Sequence, residues 1–278
     1  MNDNLLSALY LFSLLALVAC ASAPAEPTPV PTEVPLEVVS PIISTHDGVT
    51  LLYVPAGEFV MGTEASHPLA QEDESPEHVV MLDAFWIDEV EVTNERYTRC
   101  VEAGVCAEIV SPRENMTEQP NFPVQGVAWP EAVNYCEWVG RRLPTEAEWE
   151  KAARGTDARL YPWGNDYTDM LQVNIDFQVG DVNEVGTNPD DKSPYGVLDM
   201  AGNLSEWVAD WYDDDYYASS PAKNPQGPSD SGFPQRVTRG GKWNAAPKAA
   251  RTANRFWSFP YRDDFSGFRC AQDAQQAQ

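Results

Sequence analysis

Residues 140–155 read GRRLPTEAEWEKAARG, and this stretch carries the start and stop signals of one helix. Thr145 opens a capping box with Glu148, in which each side chain accepts a hydrogen bond from a backbone N–H group at the helix start. Gly155 is placed to end the helix, because glycine readily adopts the left-handed backbone found just past a helix C-terminus. We predict a helix that runs to about Arg154. Its inward-facing side chains are expected to be Trp149, Ala152 and Ala153.

Short strands and two more helices are predicted on the N-terminal side of this helix. Runs of β-branched and aromatic residues, broken by proline and glycine, predict the strands. Thr93 and Pro130 suit the first positions of the helices, and Gly104 and Gly140 follow their ends. The predicted strands are 49–54, 57–61 and 79–86, and the predicted helices are 93–103 and 130–139.

The sequence changes character after Gly155. Gly, Pro, Asn, Asp and Trp become frequent, and neither helical nor strand periodicity persists. Residues 156–270 are therefore expected to be largely irregular, with short strands. A compact region with so little regular structure needs other constraints, such as disulfides, bound ions or buried Trp and Arg side chains. The last residues, 273–278, have little to pack against and are expected to fray.

The composition limits the possible functions. The chain has 278 residues, of which 43% are hydrophobic, so it can bury a large core. Its formal net charge of −25 argues against a nucleic-acid partner, because a phosphate-binding surface must be basic. The acidity has two interpretations: a surface that keeps an exported protein soluble, or an acidic binding face.

Residues 1–20 have the pattern of an export signal. The apolar run at 5–19 is too short for a membrane span but typical of a signal peptide. The sequence LVAC at 17–20 resembles a bacterial lipobox, which implies that Cys20 is lipidated and becomes the mature N-terminus. The segment before it departs from the pattern because it has no Lys or Arg. The alternative is an ordinary cleaved signal peptide with an incidental cysteine.

The residues after Cys20 predict a spacer and then a globular domain. Proline recurs every few residues at 21–41, and such a segment favours extended conformers that cannot bury a core. The globular domain is predicted at 42–272. Together these segments predict an exported lipoprotein that is anchored to the membrane of the cell envelope through Cys20.

Four cysteines remain for the domain: Cys100, Cys106, Cys136 and Cys270. An even number in an exported chain favours two disulfides, with three possible pairings. Cys100 and Cys106 are close enough in sequence to close a short loop. The other two would then tie the middle of the domain to its C-terminus.

Four segments, read together, resemble one family. They are GEFVMG at 57–62, GRRLPTEAEWEKAARG at 140–155, YGVLDMAGNLSEWVADWY at 195–212, and RVTRGGKWN with GFRCA at 236–244 and 267–271. Their order and content resemble the sulfatase-modifying-factor family, whose best-known members are formylglycine-generating enzymes, over about 45–272. The resemblance implies an α+β, C-type-lectin-like fold with little regular secondary structure. It also selects the pairing of Cys136 with Cys270.

The resemblance further implies structural calcium. The matching family positions bind one ion through the side chains of Asp199 and Glu206 and the backbone carbonyls of Gly202 and Leu204. Two carboxylates and flexible backbone suit a hard cation that takes about six to eight oxygens. Alternatively, the two acids only cap a turn.

A second family calcium site is less well matched. It would use Asn174 and Ile175 with an acid further along the chain, either Asp181 or Asp176. The segment that comes after them is shorter here than in well-known members of the family, so this second set departs from the family pattern.

The segment after the glycine pair lacks the reactive groups of the family. In formylglycine-generating enzymes it carries a serine and two cysteines, whose thiolates hold copper(I) and activate O₂ to oxidise a cysteine of a sulfatase. Here the serine position is Lys242. Counting from Gly240 and Gly241 places the cysteine positions at Ala245 and Ala250. Because alanine can neither bind copper(I) nor form a mixed disulfide, we expect no copper and no catalytic residue at these positions.

Six other side chains of this region are candidates for lining a binding groove, because Arg and Trp can grip a peptide or a carboxylate. The alternative is structural, with buried arginines paired to acids and the tryptophan in the core. The candidates are Arg239, Trp243, Asn244, Arg251, Asn254 and Arg255.

We therefore expect a binding or scaffold role at the cell envelope, with an unidentified protein, peptide or glycan as ligand. An oxidoreductase of the formylglycine-generating class, using ligands other than thiolates, is the alternative. A calcium-dependent lectin-like binder would rest on the fold alone. The three histidines, His46, His67 and His78, are expected on the solvated surface rather than at a metal site.

Overall fold

The computed structural model describes residues 39–109, 118–168, 172–230 and 232–276. The predicted signal peptide with Cys20, residues 21–38 of the predicted linker, and residues 277–278 lie outside these described residues. Within them, none of the helices is both long enough and apolar enough to span a bilayer.

The described residues contain three α-helices, which form where the capping signals predict them. Helix α1 spans Asn94–Glu102, and helix α2 spans Trp129–Trp138. Helix α3 spans Glu146–Arg154 and has the complete capping box, with hydrogen bonds of 3.2 and 2.8 Å between Thr145 and Glu148. Each helix is followed within two residues by a glycine with a φ of 74°.

Ten short strands are present in the described residues. In chain order they are β1 (Ile42–Ile43), β2 (Thr50–Val54), β3 (Gly57–Met61), β4 (His78–Leu82), β5 (Phe85–Asp88), β6 (Ser205–Trp211), β7 (Arg236–Arg239), β8 (Phe256–Ser258), β9 (Ser266–Phe268) and β10 (Ala271–Asp273). One sheet has the order β1-β2-β5-β10, another has the order β8-β7-β6-β9, and β3 pairs with β4 alone. The β6–β9 pair is parallel, and all other pairs are antiparallel.

The single strand predicted at 79–86 is wrong, because this segment forms parts of two strands in different sheets. Strand β4 pairs with β3, whereas β5 pairs with β2 and β10. Asp83 lies between them and is held by Asn224, which donates to its carboxylate at 2.7 Å and accepts from its N–H at 2.9 Å. Both faces of β5 are buried, so hydrophobic alternation could not mark where β4 ends.

The C-terminal residues are more ordered than predicted. Ala271–Asp273 forms β10, whose backbone pairs with Phe85–Ile87, and Ala274–Gln276 forms a 3₁₀ turn. Asp273, placed in the frayed tail by the sequence, accepts from the Arg142 guanidinium at 2.5 Å. Backbone pairing with β5 supplies the order that the polar side chains of this segment do not reveal.

Helix α3 lies at the centre of the domain and is buried along its whole length. Trp149, Ala152 and Ala153 pack into the main hydrophobic cluster with residues of β2–β6 and β7, as the sequence predicts. The charged residues of the helix, including Glu146, Glu150 and Arg154, are buried as well. A buried charge is costly unless it is paired, so the partners of these residues determine how this region folds.

The two predicted disulfides are present. Cys100–Cys106 closes a short loop after α1, and Cys136–Cys270 joins α2 to the residue that precedes β10. The prediction that residues 156–270 are largely irregular is confirmed, since the described residues between 155 and 204 contain neither a helix nor a named strand.

Candidate functional site

The glutamates of α3 bind the arginines that follow the glycine pair. Glu146 and Glu150 lie one turn apart, and Arg239 at the end of β7 bridges them with Nη–Oε distances of 3.1 and 2.6 Å. Arg255 also binds Glu146, with an Nε–Oε1 distance of 2.7 Å. Burial alone would lower the pKa of Arg239, but Glu150 and the neighbouring anions outweigh it and raise this pKa. The Arg239 guanidinium therefore keeps its charge inside the protein.

A second buried pair fixes the middle of the same segment. Arg251 makes a two-pronged contact with Glu74, with Nη–Oε distances of 2.6 and 2.8 Å. Asn254 donates to the same carboxylate at 3.0 Å. The pairs attach residues 251–255 to the loop that contains Glu74, far away in the sequence.

Four of the six candidate groove residues are thus structural. Arg239, Arg251, Asn254 and Arg255 are at most 2% exposed, so they do not line a surface open to solvent. These residues fit the alternative interpretation, in which buried arginines are paired with acids. Sequence reasoning did not identify the acidic partners, which are Glu74, Glu146 and Glu150.

The other two candidates lie in the turn after the glycine pair. Trp243 is nearly buried and packs beside Val182 and Leu204, and its ring contacts the Phe177 ring edge-on at 5.4 Å. Asn244 is half-buried. The turn therefore contains a buried tryptophan, Trp243, next to a partly exposed polar residue, Asn244.

The three positions that replace the reactive residues of the family have different environments. Lys242 is half-buried, and its ammonium lies 3.8 Å from the centre of the Phe265 ring. Ala245 is half-buried, and its carbonyl accepts a hydrogen bond from Asp176 at 2.9 Å. Ala250 is fully buried and packs with the cluster that contains Ile175. One of the two cysteine positions is therefore packed over, while the other reaches the surface.

No free thiol compensates for these substitutions among the described residues. The four described cysteines are all in disulfides. Also within the described part of the chain, no group of three or more His, Cys, Asp or Glu side chains is arranged to hold a metal. The predicted calcium site has only two carboxylates, and its other ligands are backbone carbonyls, so it is not a group of this kind.

The two predicted calcium sets lie next to each other. Asn203 donates its N–H to the Asn174 carbonyl at 2.9 Å. Gly202 has a φ of 109°, and a Cβ atom there would lie 2.2 Å from the Asn174 oxygen. Only glycine fits this contact, so the close approach of the two segments depends on it. The Asn174 side-chain oxygen is buried and has no hydrogen-bond partner.

The acids of the first set belong to a buried cluster of negative charge. Glu206 binds Arg269 with distances of 2.6 and 2.7 Å, and Asp199 accepts from the Asn188 amide at 3.0 Å. Glu91 and Asp191, which the sequence did not single out, complete the cluster. Burial, and then the neighbouring carboxylates, raise the pKa of Glu91 and of Asp191 well above the usual values. Burial likewise raises the pKa of Asp199.

The remaining predicted ligands differ in position. Leu204 is buried and donates its N–H to Glu91 at 3.3 Å, and Ile175 is buried in an apolar cluster. Asp181 is exposed, and its carbonyl accepts from the Asn174 amide at 3.0 Å. Asp176 is exposed as well. The predicted set of two carboxylates and two backbone carbonyls lies beside the unpaired side-chain oxygen of Asn174, and oxygen donors of this kind suit a hard cation.

Comparison with known proteins establishes the family. The sulfatase-modifying factor enzyme 1-like domain matches residues 42–274. The formylglycine-generating enzyme of Streptomyces coelicolor is 33% identical over 80% of this chain and 88% of that protein. The chain therefore belongs to the sulfatase-modifying factor enzyme family, and it is homologous to formylglycine-generating enzymes.

Other relatives carry different names. The serine/threonine-protein kinase pkn1 of Chlamydia pneumoniae is 36% identical over 80% of this chain, but the match spans only 38% of that protein. The hercynine oxygenase of Mycolicibacterium smegmatis is 31% identical over 86% of this chain and 65% of that protein. Homologues of this domain are thus found in proteins of several named activities.

Solved structures confirm the predicted fold class. PvdO from Pseudomonas aeruginosa is 28% identical, with a TM-score of 0.73 over 84% of this chain and 98% of that one. The Treponema denticola variable protein 1 is 24% identical, with a TM-score of 0.69 over 84% of this chain and 98% of that one. The domain therefore has the α+β, lectin-like fold of the sulfatase-modifying factors.

Proposed function

We propose that this chain is an envelope-anchored member of the family whose domain binds or scaffolds a partner and does not oxidise cysteine. The observation that carries the proposal is the environment of Ala250. Its methyl group is fully buried against Val173, Ile175 and Ala201, in a position where the family chemistry needs an accessible thiolate. Lys242 places a positive charge where the family keeps a hydroxyl, which disfavours a cationic metal.

A second candidate function is an oxidation within the same family. The 33% identity to a formylglycine-generating enzyme and the 31% identity to an oxygenase favour it. This function would need metal ligands other than the two thiolates, and Ala245 and Ala250 could not take part. The two candidate functions differ in what happens to the partner. A partner that is bound but not oxidised would favour the binding or scaffold role over the oxidation.

The surface that binds this partner is proposed to include the turn at Ala245. Its neighbour Ala246 is exposed. Full-length protein carrying Ala246→Arg should capture much less of a specific envelope component than wild type does, whereas Asp214→Arg, at an exposed position in a different loop, should capture as much. Equal capture by all three proteins would show that this turn is not the binding surface.

The anchor is proposed to be the lipid on Cys20. Acyl chains add about 0.8 kcal/mol per buried CH₂ group, so the mature protein should fractionate with membranes, and Cys20→Ser should release it to the soluble fraction. Fractionation followed by immunoblotting measures this. If wild type and Cys20→Ser were membrane-associated to the same degree, lipidation of Cys20 could not be the anchor.

Calcium is proposed to stabilise the loops around Asp199. Four buried carboxylates share this cluster with the Arg269 guanidinium, and a divalent cation would offset the excess negative charge. The Asp199 and Glu206 carboxylates and the Gly202 and Leu204 carbonyls would hold it. The same set of oxygens would order a part of the chain that has little regular structure.

Chelation should lower the melting temperature of the domain. Calcium at a hundred times its dissociation constant adds about 2.7 kcal/mol if it binds only the folded state, which corresponds to roughly 5–10 °C for a domain of this size. Asp199→Ala should abolish most of this calcium-dependent shift, and Asp214→Ala, at an exposed position, should preserve it. A melting curve that chelator leaves unchanged would rule out structural calcium.

A further inference from the structure

A cleft of about 570 Å³ lies between α2, the start of α3 and the C-terminal strand β10. This volume is within the range of small-molecule sites, which span about 300–1,000 Å³. Among the described residues, the segment after the glycine pair contributes nothing to its lining. The cleft is therefore separate from the region that carries the proposed function, and a ligand bound in it would be independent of that function.

One wall of the cleft is a stripe of side chains along α2. Trp129, Val133 and Glu137 all line it. They are spaced by four residues, so they lie on one face of the helix. From Trp129 to Glu137 the stripe is about 12 Å long at 1.5 Å per residue. It changes from aromatic to aliphatic to acidic along this length.

The Trp129 ring is held in place before any ligand arrives. Its Nε1 donates to the Val208 carbonyl at 2.7 Å. The Arg236 guanidinium covers the ring at 3.6 Å from its centre, and the same guanidinium lies 3.4 Å from the centre of the Trp211 ring. A rigid aromatic wall lowers the entropic cost of binding an apolar group.

A second part of the lining is also fixed, because its charges are paired with each other. Arg142 binds Glu148 through two contacts of 2.7 Å and binds Asp273 at 2.5 Å. These three side chains line the cleft. The single guanidinium is thus committed to two carboxylates and leaves no positive charge to attract an anion.

Glu137 differs from the other acids of the cleft. Its side chain is exposed, and it has no ion-pair partner among the described residues. A guanidinium or ammonium group can bind a carboxylate of this kind by charge-assisted hydrogen bonds. The remainder of such a ligand would pack along Val133 towards Trp129.

We propose that this cleft binds an organic cation with an apolar chain, with the cationic group at Glu137 and the chain against Val133 and Trp129. Two features favour this chemistry: the negative charge of the lining, and the sequence of aromatic, aliphatic and acidic side chains along α2. The lining holds four carboxylates, Asp83, Glu137, Glu148 and Asp273, against the single guanidinium of Arg142, so an anion would be repelled. A purely apolar ligand would make no use of the free carboxylate of Glu137.

The test compares n-butylguanidinium with n-butylurea, a neutral molecule of nearly the same shape, by ligand-observed NMR titration of the full-length protein in detergent. The cation should bind about two- to fivefold more tightly, as expected for one partly exposed ion pair. Glu137→Gln should remove this preference and leave the urea affinity unchanged. Asp214→Asn lowers the net negative charge equally but lies outside the cleft, so it should preserve the preference.

Three results would overturn the proposal. The first is equal affinity of the wild type for the two probes. The second is a loss of affinity in Asp214→Asn as large as that in Glu137→Gln, which would indicate general attraction by the acidic protein. The third is unchanged binding in Val133→Arg, because this substitution places bulk and positive charge in the middle of the stripe.

Discussion

Replacing Arg239 by methionine should lower the free energy of unfolding by about 3–5 kcal/mol, because it leaves Glu146 and Glu150 short of a partner inside the protein. Arg239 is fully buried and bridges both carboxylates. The matched control is Arg99→Met, which breaks a solvent-exposed pair with Glu95 on α1 and should change stability by less than about 1 kcal/mol. Denaturant unfolding of the two variants measures the difference.

The double variant Arg239→Met with Glu150→Met separates charge from packing. If an unpaired carboxylate causes the loss, removing Glu150 as well should restore part of the stability. Arg154 also binds Glu150, with an Nη1–Oε1 distance of 2.9 Å, so a double variant less stable than Arg239→Met alone would show that losing the partner of Arg154 outweighs relief of the unpaired carboxylate. Equal effects of Arg239→Met and Arg99→Met would contradict the importance of the buried network altogether.

The buried network also predicts how stability depends on pH. Burial would raise the pKa of Glu146, but Arg255 and Arg239 outweigh it and hold this pKa below its ordinary value of 4.5. A carboxyl group whose pKa is lower in the folded state stabilises the protein at pH values above its unfolded pKa. Its contribution should therefore be complete above about 4.5 and be lost as the pH falls through the folded value. Arg239→Met should weaken this dependence.

Removing the Cys136–Cys270 disulfide should cause the second large loss of stability. The two cysteines are separated by 134 residues. A cross-link that closes a loop of this length lowers the entropy of the unfolded chain, and it should thereby raise the free energy of unfolding by up to about 5 kcal/mol. Cys136→Ala with Cys270→Ala tests this in denaturant under oxidising conditions. The Cys100–Cys106 loop spans 6 residues, so its double alanine variant should cost only about 2 kcal/mol.

A comparison of the two double variants makes this prediction specific. All four cysteines are buried, so both variants lose buried sulfur atoms, and the length of the loop is the main difference. A larger loss from the short loop than from the long one would contradict the entropic explanation. Free thiols in the native domain would contradict the pairing itself.

The parts of the fold that depend on local chemistry were predictable from sequence. The capping box at Thr145 and the glycine after Arg154 defined α3 because both signals act within a few residues. The division between β4 and β5 was not predictable, since it is set by which strands lie beside them. The order of Asp273 was missed for the same reason, because it comes from the pairing of β10 with β5.

The site was predictable in its residue types and not in its contacts. Arg251 and Arg255 were recognised as notable, but their partners, Glu74 and Glu146, lie 177 and 109 residues away in the sequence. Nothing local distinguishes an arginine that binds a ligand from one that binds a distant glutamate. The buried charge of α3 was the available signal, because a helix with so many inward-facing charges needs partners from other segments.

The central proposal is that this domain does not carry out the copper-dependent oxidation that its resemblance to formylglycine-generating enzymes implies. The most direct measurement incubates the purified protein with copper(I), O₂ and a sulfatase-type cysteine peptide, and follows formylglycine by mass spectrometry. The formylglycine-generating enzyme of Streptomyces coelicolor serves as the positive control. We predict no stoichiometric copper(I) binding and a peptide that remains unoxidised, because Ala245 and Ala250 provide no thiolate. Formylglycine produced by the wild-type domain, faster than in a reaction with copper and peptide alone, would contradict the claim and establish it as an oxidoreductase.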